Sequence, residues 1–119
     1  FDTAFHQTIP KEAYQYAIKN SLLEEYKIRA YGFHGTSNKY VSEKAIAYLG
    51  EKSSKKTIII HLGNGCSMSA IKDSKSIEDC MGCASVNGLI IGTRSGDIDP
   101  SVIFFLMKEL KKSGEEVHH

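Results

Sequence analysis

The chain has little of what would set it apart from ordinary globular proteins. Its 119 residues hold three cysteines and two prolines, with no internal repeat or low-complexity tract. Three unevenly spaced cysteines cannot build a secreted disulfide framework, so a reducing cytoplasm is the expected location. No apolar run nears the roughly 20 residues that a membrane-spanning helix needs. Neither sign of charge dominates, since 15 Lys and Arg stand against 14 Asp and Glu, a net charge of +1. That balance gives no basis for a nucleic acid or an anionic membrane as partner. The opening Phe1-Asp2-Thr3 has neither Met nor a basic segment, so no secretory leader is expected. It reads as the middle of a strand in a piece of a longer chain.

What is present is 41% hydrophobic and 24% charged, enough for one domain, or part of one, with a core. Pro10 stands at the first turn of a predicted helix running to Ile18. Ser21 with Glu24 forms a capping box for a second helix through Lys27. Thr36 or Ser37 caps a third, from about Asn38 to Leu49, with Tyr40, Val41, Lys44, Ala45 and Tyr48 near one stripe and Gly50 as the stop. Strands are expected at Lys56–Leu62, Cys66–Lys72 and Ser76 to about Cys80, the last two joined through Asp73-Ser74. Asp99 caps and Pro100 begins a final helix to about Lys112, with Val102, Phe105, Leu106 and Leu110 inward and Gly114 closing it. Helices, an antiparallel strand meander and a further helix define an α/β or α+β chain.

The run Ile58 to Ala70 is the most informative stretch. A β-branched apolar segment reads as a buried strand, breaks at His61-Leu62-Gly63-Asn64-Gly65, then resumes as an alternating strand. Asn-Gly tolerates positive φ and predicts a tight hairpin, and the glycines bare backbone N–H groups to an approaching anion. Three more islands mix glycine with reactive side chains: Asp2–His6, Gly32–Ser37 and Gly92–Asp99.

Together the islands suit phosphoryl transfer, which needs positioning and hydrogen-bond donors more than covalent help. The hairpin offers N–H donors to a polyphosphate. Arg94 offers a planar fork for a phosphoryl or carboxylate group, unless it pairs locally with Asp97 or Asp99. His34 is a donor with open flanks, and Asp2 can orient a nucleophile. His61 also reads as a strand-end histidine held by a neighbouring carbonyl. Asp97 and Asp99 read as turn and cap rather than a metal pair. Cys80-Met81-Gly82-Cys83 has metal and redox spacing, but no second Cys/His pair accompanies it.

Phe1–Pro10, Tyr31–Ser37, His61–Gly65 and Gly92–Pro100 resemble the motifs of the acetate kinases, in the same order and at similar spacing, across residues 1–108. The resemblance implies an internal fragment and a ribonuclease H-like, actin-like ATPase α/β fold. Residues 1–119 would form a single partial domain at the start of the second, C-terminal domain. It implies reversible phosphoryl transfer between ATP and acetate, giving acetyl phosphate and ADP with Mg2+, in a cytoplasmic homodimeric parent. Asp2 matches the aspartate beside acetate, and His34 and Arg94 match the two residues that stabilise the transition state. His61, Leu62, Gly63, Asn64 and Gly65 match the ATP phosphate hairpin. The same resemblance places the N-terminal Asn and Ser/Thr cluster, a second arginine, the adenosine pocket and the metal-associated glutamate outside this chain. The isolated chain is therefore expected to be inactive and to expose apolar surface.

Asn38 stands where the family commonly has His, Lys19 where Pro is common and Cys66 where Ala is usual. Ala84–Asn87 replaces a Thr-Pro-Leu-type segment, a change that bears on the acyl pocket. Alternatives are a propionate or butyrate kinase, a donor of pyrophosphate rather than ATP, and a noncatalytic phosphate-binding module.

Overall fold

Strand alternation decides which residues of the sheet can be buried. The computed structural model describes residues 1–50, 52 and 55–118. β1 (Lys56–Leu62), β2 (Cys66–Lys72) and β3 (Lys75–Asp79) form an antiparallel sheet in the order β1-β2-β3. The expected meander is there, with β3 shifted by one residue. Pairing of Ile59 with Ser69 and of His61 with Ser67 puts Thr57, Ile59, His61, Ser67, Ser69 and Ile71 on one face. A 3-10 turn (Ala4–Thr8) packs on β3 and on the helix that follows the Gly32 island, and that helix packs on β1. The other face is open. Ile58, Ile60 and Leu62 are 67%, 53% and 75% exposed, so the expected buried strand is buried only at Ile59.

Of the two hairpin turns, the one at Asp73-Ser74 is the expected tight turn and the one at Asn64-Gly65 is not. Asp73 and Ser74 both take positive φ (49° and 64°) between paired Lys72 and Lys75, as a two-residue type I′ turn requires. Between Leu62 and Cys66 the loop is Gly63–Gly65, and none of its residues takes positive φ. The third loop residue removes the need for a left-handed Asn-Gly pair. The loop closes instead through Gly63 N–H donating to Gly65 O at 3.0 Å.

The helices depart from local rules where distant groups compete. Asp2-Thr3 form a turn rather than strand and lead into the 3-10 segment. α1 (Lys11–Tyr14) stops four residues short of Ile18. Beyond it Tyr14 O accepts Ala30 N–H at 2.8 Å and Tyr16 Oη accepts Cys83 N–H at 2.8 Å, contacts that a continuous helix would forgo. α2 (Asn20–Tyr26) takes Lys19 as its N-cap with no side-chain bond, so the Ser21–Glu24 box is not formed. α3 (Gly35–Leu49) starts before Thr36, with His34 as N-cap. Its packed face is Gly35, Asn38 and Ser42, whereas Tyr40, Val41 and Tyr48 are exposed.

Asp99 caps α4 (Pro100–Lys108) as expected, accepting Ser101 N–H at 2.9 Å. α4 ends short of Lys112, and Gly114 opens α5 (Gly114–His118) rather than closing α4. Ser113 and Glu116 make the capping box that starts it: Ser113 N–H donates to Glu116 Oε2 at 2.8 Å and Glu116 N–H to Ser113 Oγ at 3.1 Å. Val102, Phe105 and Leu110 are exposed, because α4 packs chiefly on α5 and not on the sheet.

The core is small and unusually polar. Ile9, Ile59, Ile71 and Met81 are its buried apolar residues, beside His6, Asn38, Ser42, Ser67, Ser69 and Ser76. Among the described residues, no helix is long and apolar enough to cross a membrane.

Candidate active site

The N-terminus of α3 is capped from 32 positions away in sequence. His34 N–H donates to Asp2 Oδ2 at 2.9 Å, and Gly35 N–H donates to Asp2 O at 2.8 Å. These two donors would otherwise be orphaned at the helix start. Gly35 permits the docking, since a Cβ there would lie 2.5 Å from Asp2 O. Asp2 Oδ1 takes no hydrogen bond among the described residues and remains available to a ligand.

His34 itself sits in the left-handed region (φ 55°, ψ 26°), which turns its ring toward the sheet. Its Nδ1 bonds Ser67 Oγ at 2.9 Å. The His61 ring stacks on it at 4.0 Å between centroids and 19° between planes. His61 Nδ1 in turn bonds Ser37 Oγ at 3.0 Å, so Ser37 orients a histidine instead of capping α3, and His61 uses a hydroxyl instead of a carbonyl. Neither Nε2 has a hydrogen-bond partner among the described residues. Both lie beside the hairpin loop: a Cβ on Gly65 would be 3.1 Å from His34 Nε2, and one on Gly63 would be 3.4 Å from His61 Nε2. Burial, and then the neighbouring His61, hold His34 below the ordinary 6.5, against the pull of the Asp2 and Asp79 carboxylates. A neutral His34 is a hydrogen-bond donor without a charge to neutralise.

Asp2, His34, His61 and the Gly63–Gly65 loop are therefore brought together. Arg94 is held elsewhere, in the segment after β3. Its Nη1 donates to Ser85 O at 2.7 Å and Ser85 Oγ at 3.1 Å, and its backbone bridges Ile91. The local ion pair with Asp97 or Asp99 does not form, because Asp97 Oδ1 accepts Gly88 N–H at 2.8 Å and Asp99 caps α4. No hydrogen bond or ion pair joins Arg94 to Asp2, His34 or the hairpin among the described residues. Among those residues no group of three His, Cys, Asp or Glu side chains converges on a common point.

A second set of polar residues, invisible as a motif, lies behind His34. His6 is fully buried, with Nε2 2.7 Å from Phe33 O and Nδ1 2.7 Å from Ser76 Oγ. A carbonyl can only accept, so the hydrogen at that contact is on Nε2. Asn38 Nδ2 donates to Ser69 Oγ at 2.7 Å and to Phe33 O at 3.3 Å, while its Oδ1 is buried without a partner among the described residues. Ser69 Oγ donates to Asp79 Oδ2 at 2.5 Å, and Asp79 Oδ1 accepts Phe33 N–H at 3.3 Å and Met81 N–H at 2.9 Å. The only advance signal was the clustering of polar residues at strand positions that face inward.

The model of the acetokinase family matches residues 1–119. The chain belongs to that family. Acetate kinase of Flavobacterium johnsoniae is 66% identical over 118 residues, covering 99% of this chain and 29% of the relative. That of Clostridium acetobutylicum is 51% identical over 120 residues, covering all of this chain and 30% of the relative. The crystal structure of Porphyromonas gingivalis acetate kinase superposes with a TM-score of 0.92 at 43% identity, over 98% of this chain and 30% of that one. A propionate kinase structure from Francisella tularensis gives 0.91 at 49% identity, with the same two coverages of 98% and 30%. The chain thus spans about 30% of the length of the relatives it matches. Its helices and antiparallel meander are part of an actin-like, ribonuclease H-like α/β domain of the acetokinase family.

Proposed function

We propose that this chain is the start of the second domain of a cytoplasmic, homodimeric kinase that moves a phosphoryl group reversibly between ATP and acetate. The observation that supports it most is the pair of stacked histidines, with both Nε2 atoms unbonded against the glycine loop (rings 4.0 Å apart). In the tautomer where Ser67 and Ser37 donate to the Nδ1 atoms, each Nε2 carries hydrogen and donates to a phosphoryl oxygen. The Gly63–Gly65 backbone and His61 hold the donor's phosphates, and His34 stabilises the charge on the transferring group. Asp2 orients the acid with its free Oδ1. Arg94 supplies the cationic contact to the transition state through Nε and Nη2, which Ser85 leaves unbonded. Magnesium, when bound with the nucleotide, would find most of its protein ligands outside this chain.

In the full-length parent, His34→Ala and Arg94→Ala are each expected to lower kcat by roughly 100- to 1,000-fold with the fold intact. Unchanged kcat with retained nucleotide binding would instead make this a noncatalytic phosphate-binding module. The 119-residue chain alone is expected to give no turnover in a coupled acetyl phosphate assay, and normal turnover would overturn its being half a site. The likeness to a propionate kinase supports a second reading, in which the acid is larger by one methylene. That difference amounts to only about 1–3 kcal/mol in an apolar pocket, and competition between acetate and propionate in the parent measures it.

A further inference from the structure

The Phe33 peptide is gripped on both sides. Its N–H donates to Asp79 Oδ1, and its carbonyl accepts from His6 Nε2 and Asn38 Nδ2. Ser69 ties the two sides, receiving Asn38 Nδ2 and donating to Asp79 Oδ2. The Asp79 and His6 side chains are both fully buried, and Asp79 Oδ2 lies 3.7 Å from His6 Nε2. The very next residue is His34, held at a φ of 55° that a non-glycine side chain seldom adopts. That conformation is strained for a side chain with a Cβ and persists only where neighbours over-determine it.

We propose that Asp79 is a positioning residue for His34: through the Phe33 peptide it holds the left-handed turn that stacks the His34 imidazole on His61 beneath the glycine loop. Asp79 touches neither the loop nor the His34 ring. It acts on the backbone directly through Phe33 N–H, and on the Phe33 carbonyl through Ser69 and Asn38. A ring displaced by about an ångström can forfeit up to roughly 100-fold in rate, so a backbone clamp one residue away is felt in catalysis. The inference rests on the catalytic reading of His34 given above.

The test is a double-mutant cycle in the full-length parent, with Asp79→Asn and His34→Ala alone and together. Asp79→Asn is expected to lower kcat by about 10- to 100-fold while leaving the KM for ATP within about twofold. In the His34→Ala background the same substitution is expected to change kcat by less than about twofold, since the group it positions is gone. An equal loss in both backgrounds, or no loss in the first, would overturn the positioning role. Ser69→Ala removes only the hydroxyl between Asn38 and Asp79 and takes the place of Asp79→Asn if that variant does not fold. Normal kcat in His34→Ala overturns the catalytic reading by itself. The clamp is then decided by the His34 ring resonances in Ser69→Ala, which keeps the Asp79 charge: they must shift if the clamp holds the ring on the His61 stack, and unshifted resonances overturn it.

Discussion

The two faces of one small sheet are built from opposite chemistry. The covered face carries Ser67, Ser69 and Ser76, all buried, with His6, Asn38 and Asp79 bonded among them. The open face carries Ile58, Ile60, Leu62 and Met68, all exposed. In a free-standing domain the polarity runs the other way, because burying apolar area is the main stabilising term and burying polar groups costs unless they are bonded. The inversion has two sources. The inner face is polar where the stacked His34 and His61 rings and the hydrogen bonds to the Phe33 peptide lie. The outer face is apolar in a chain that spans about 30% of the length of its relatives, and under the reading proposed above the rest of the parent covers it.

Substitutions on the two faces sharpen this contrast. His6→Ala is expected to destabilise the chain most, by roughly 3 kcal/mol, since it leaves a cavity and strips partners from Ser76 and Phe33 O. Urea unfolding measures it, and a change below about 0.5 kcal/mol would mean that the inner network is not load-carrying in the folded state. Ile60→Lys on the open face is expected to shift the stability of this chain by no more than about 0.5 kcal/mol. In the full-length parent the same change is expected to cost more than about 2 kcal/mol, because a charge would enter covered apolar surface. Equal small effects in both would break the comparison.

The smallest expected effect is on pH dependence and belongs to the inner face alone. His34 is held below its ordinary 6.5 by burial and by His61, so the unfolded chain takes up its proton first. Its contribution to stability is complete above 6.5 and is lost as pH falls through the lowered folded value. Stability measured from pH 7.5 downward should fall less steeply in His34→Gln than in the unaltered chain. The pH dependence should be indifferent to Ile60→Lys. Identical slopes with and without His34 would remove this residue from the pH response.

Much of the candidate site's arrangement was legible because each island sat where a strand or helix had to end. The hairpin, Asp2 and His34 were all read from loops beside periodic segments, and three of the four islands meet in the folded chain. The His34–His61 stack was not legible, since 27 residues separate the two rings and only the pairing of β1 with β2 beside α3 brings them together. The Phe33 clamp was hidden for the same reason: its residues come from four separate segments of the chain. Local capping rules succeeded at Asp99, where no distant acceptor competes, and failed at Thr36, where Asp2 took over the helix start. Gly114 was misread as a stop because the Ser113–Glu116 box outweighs a lone glycine.

By itself the sequence determined the meander, the hairpin positions, the N-cap of α4, the loop islands and the family resemblance, because strand alternation, glycine placement and capping are properties of neighbouring residues. Only the tertiary structure decided which face of the sheet is covered. It alone also set where α1, α3 and α4 begin or stop, and how His34 is turned and its ring held beside the loop. Those outcomes depend on hydrogen bonds and packing between residues tens of positions apart, where a distant partner offers the backbone a better bond than its neighbours do. The glycine hairpin was therefore readable as a place, and the tertiary contacts set it beside the two stacked histidines.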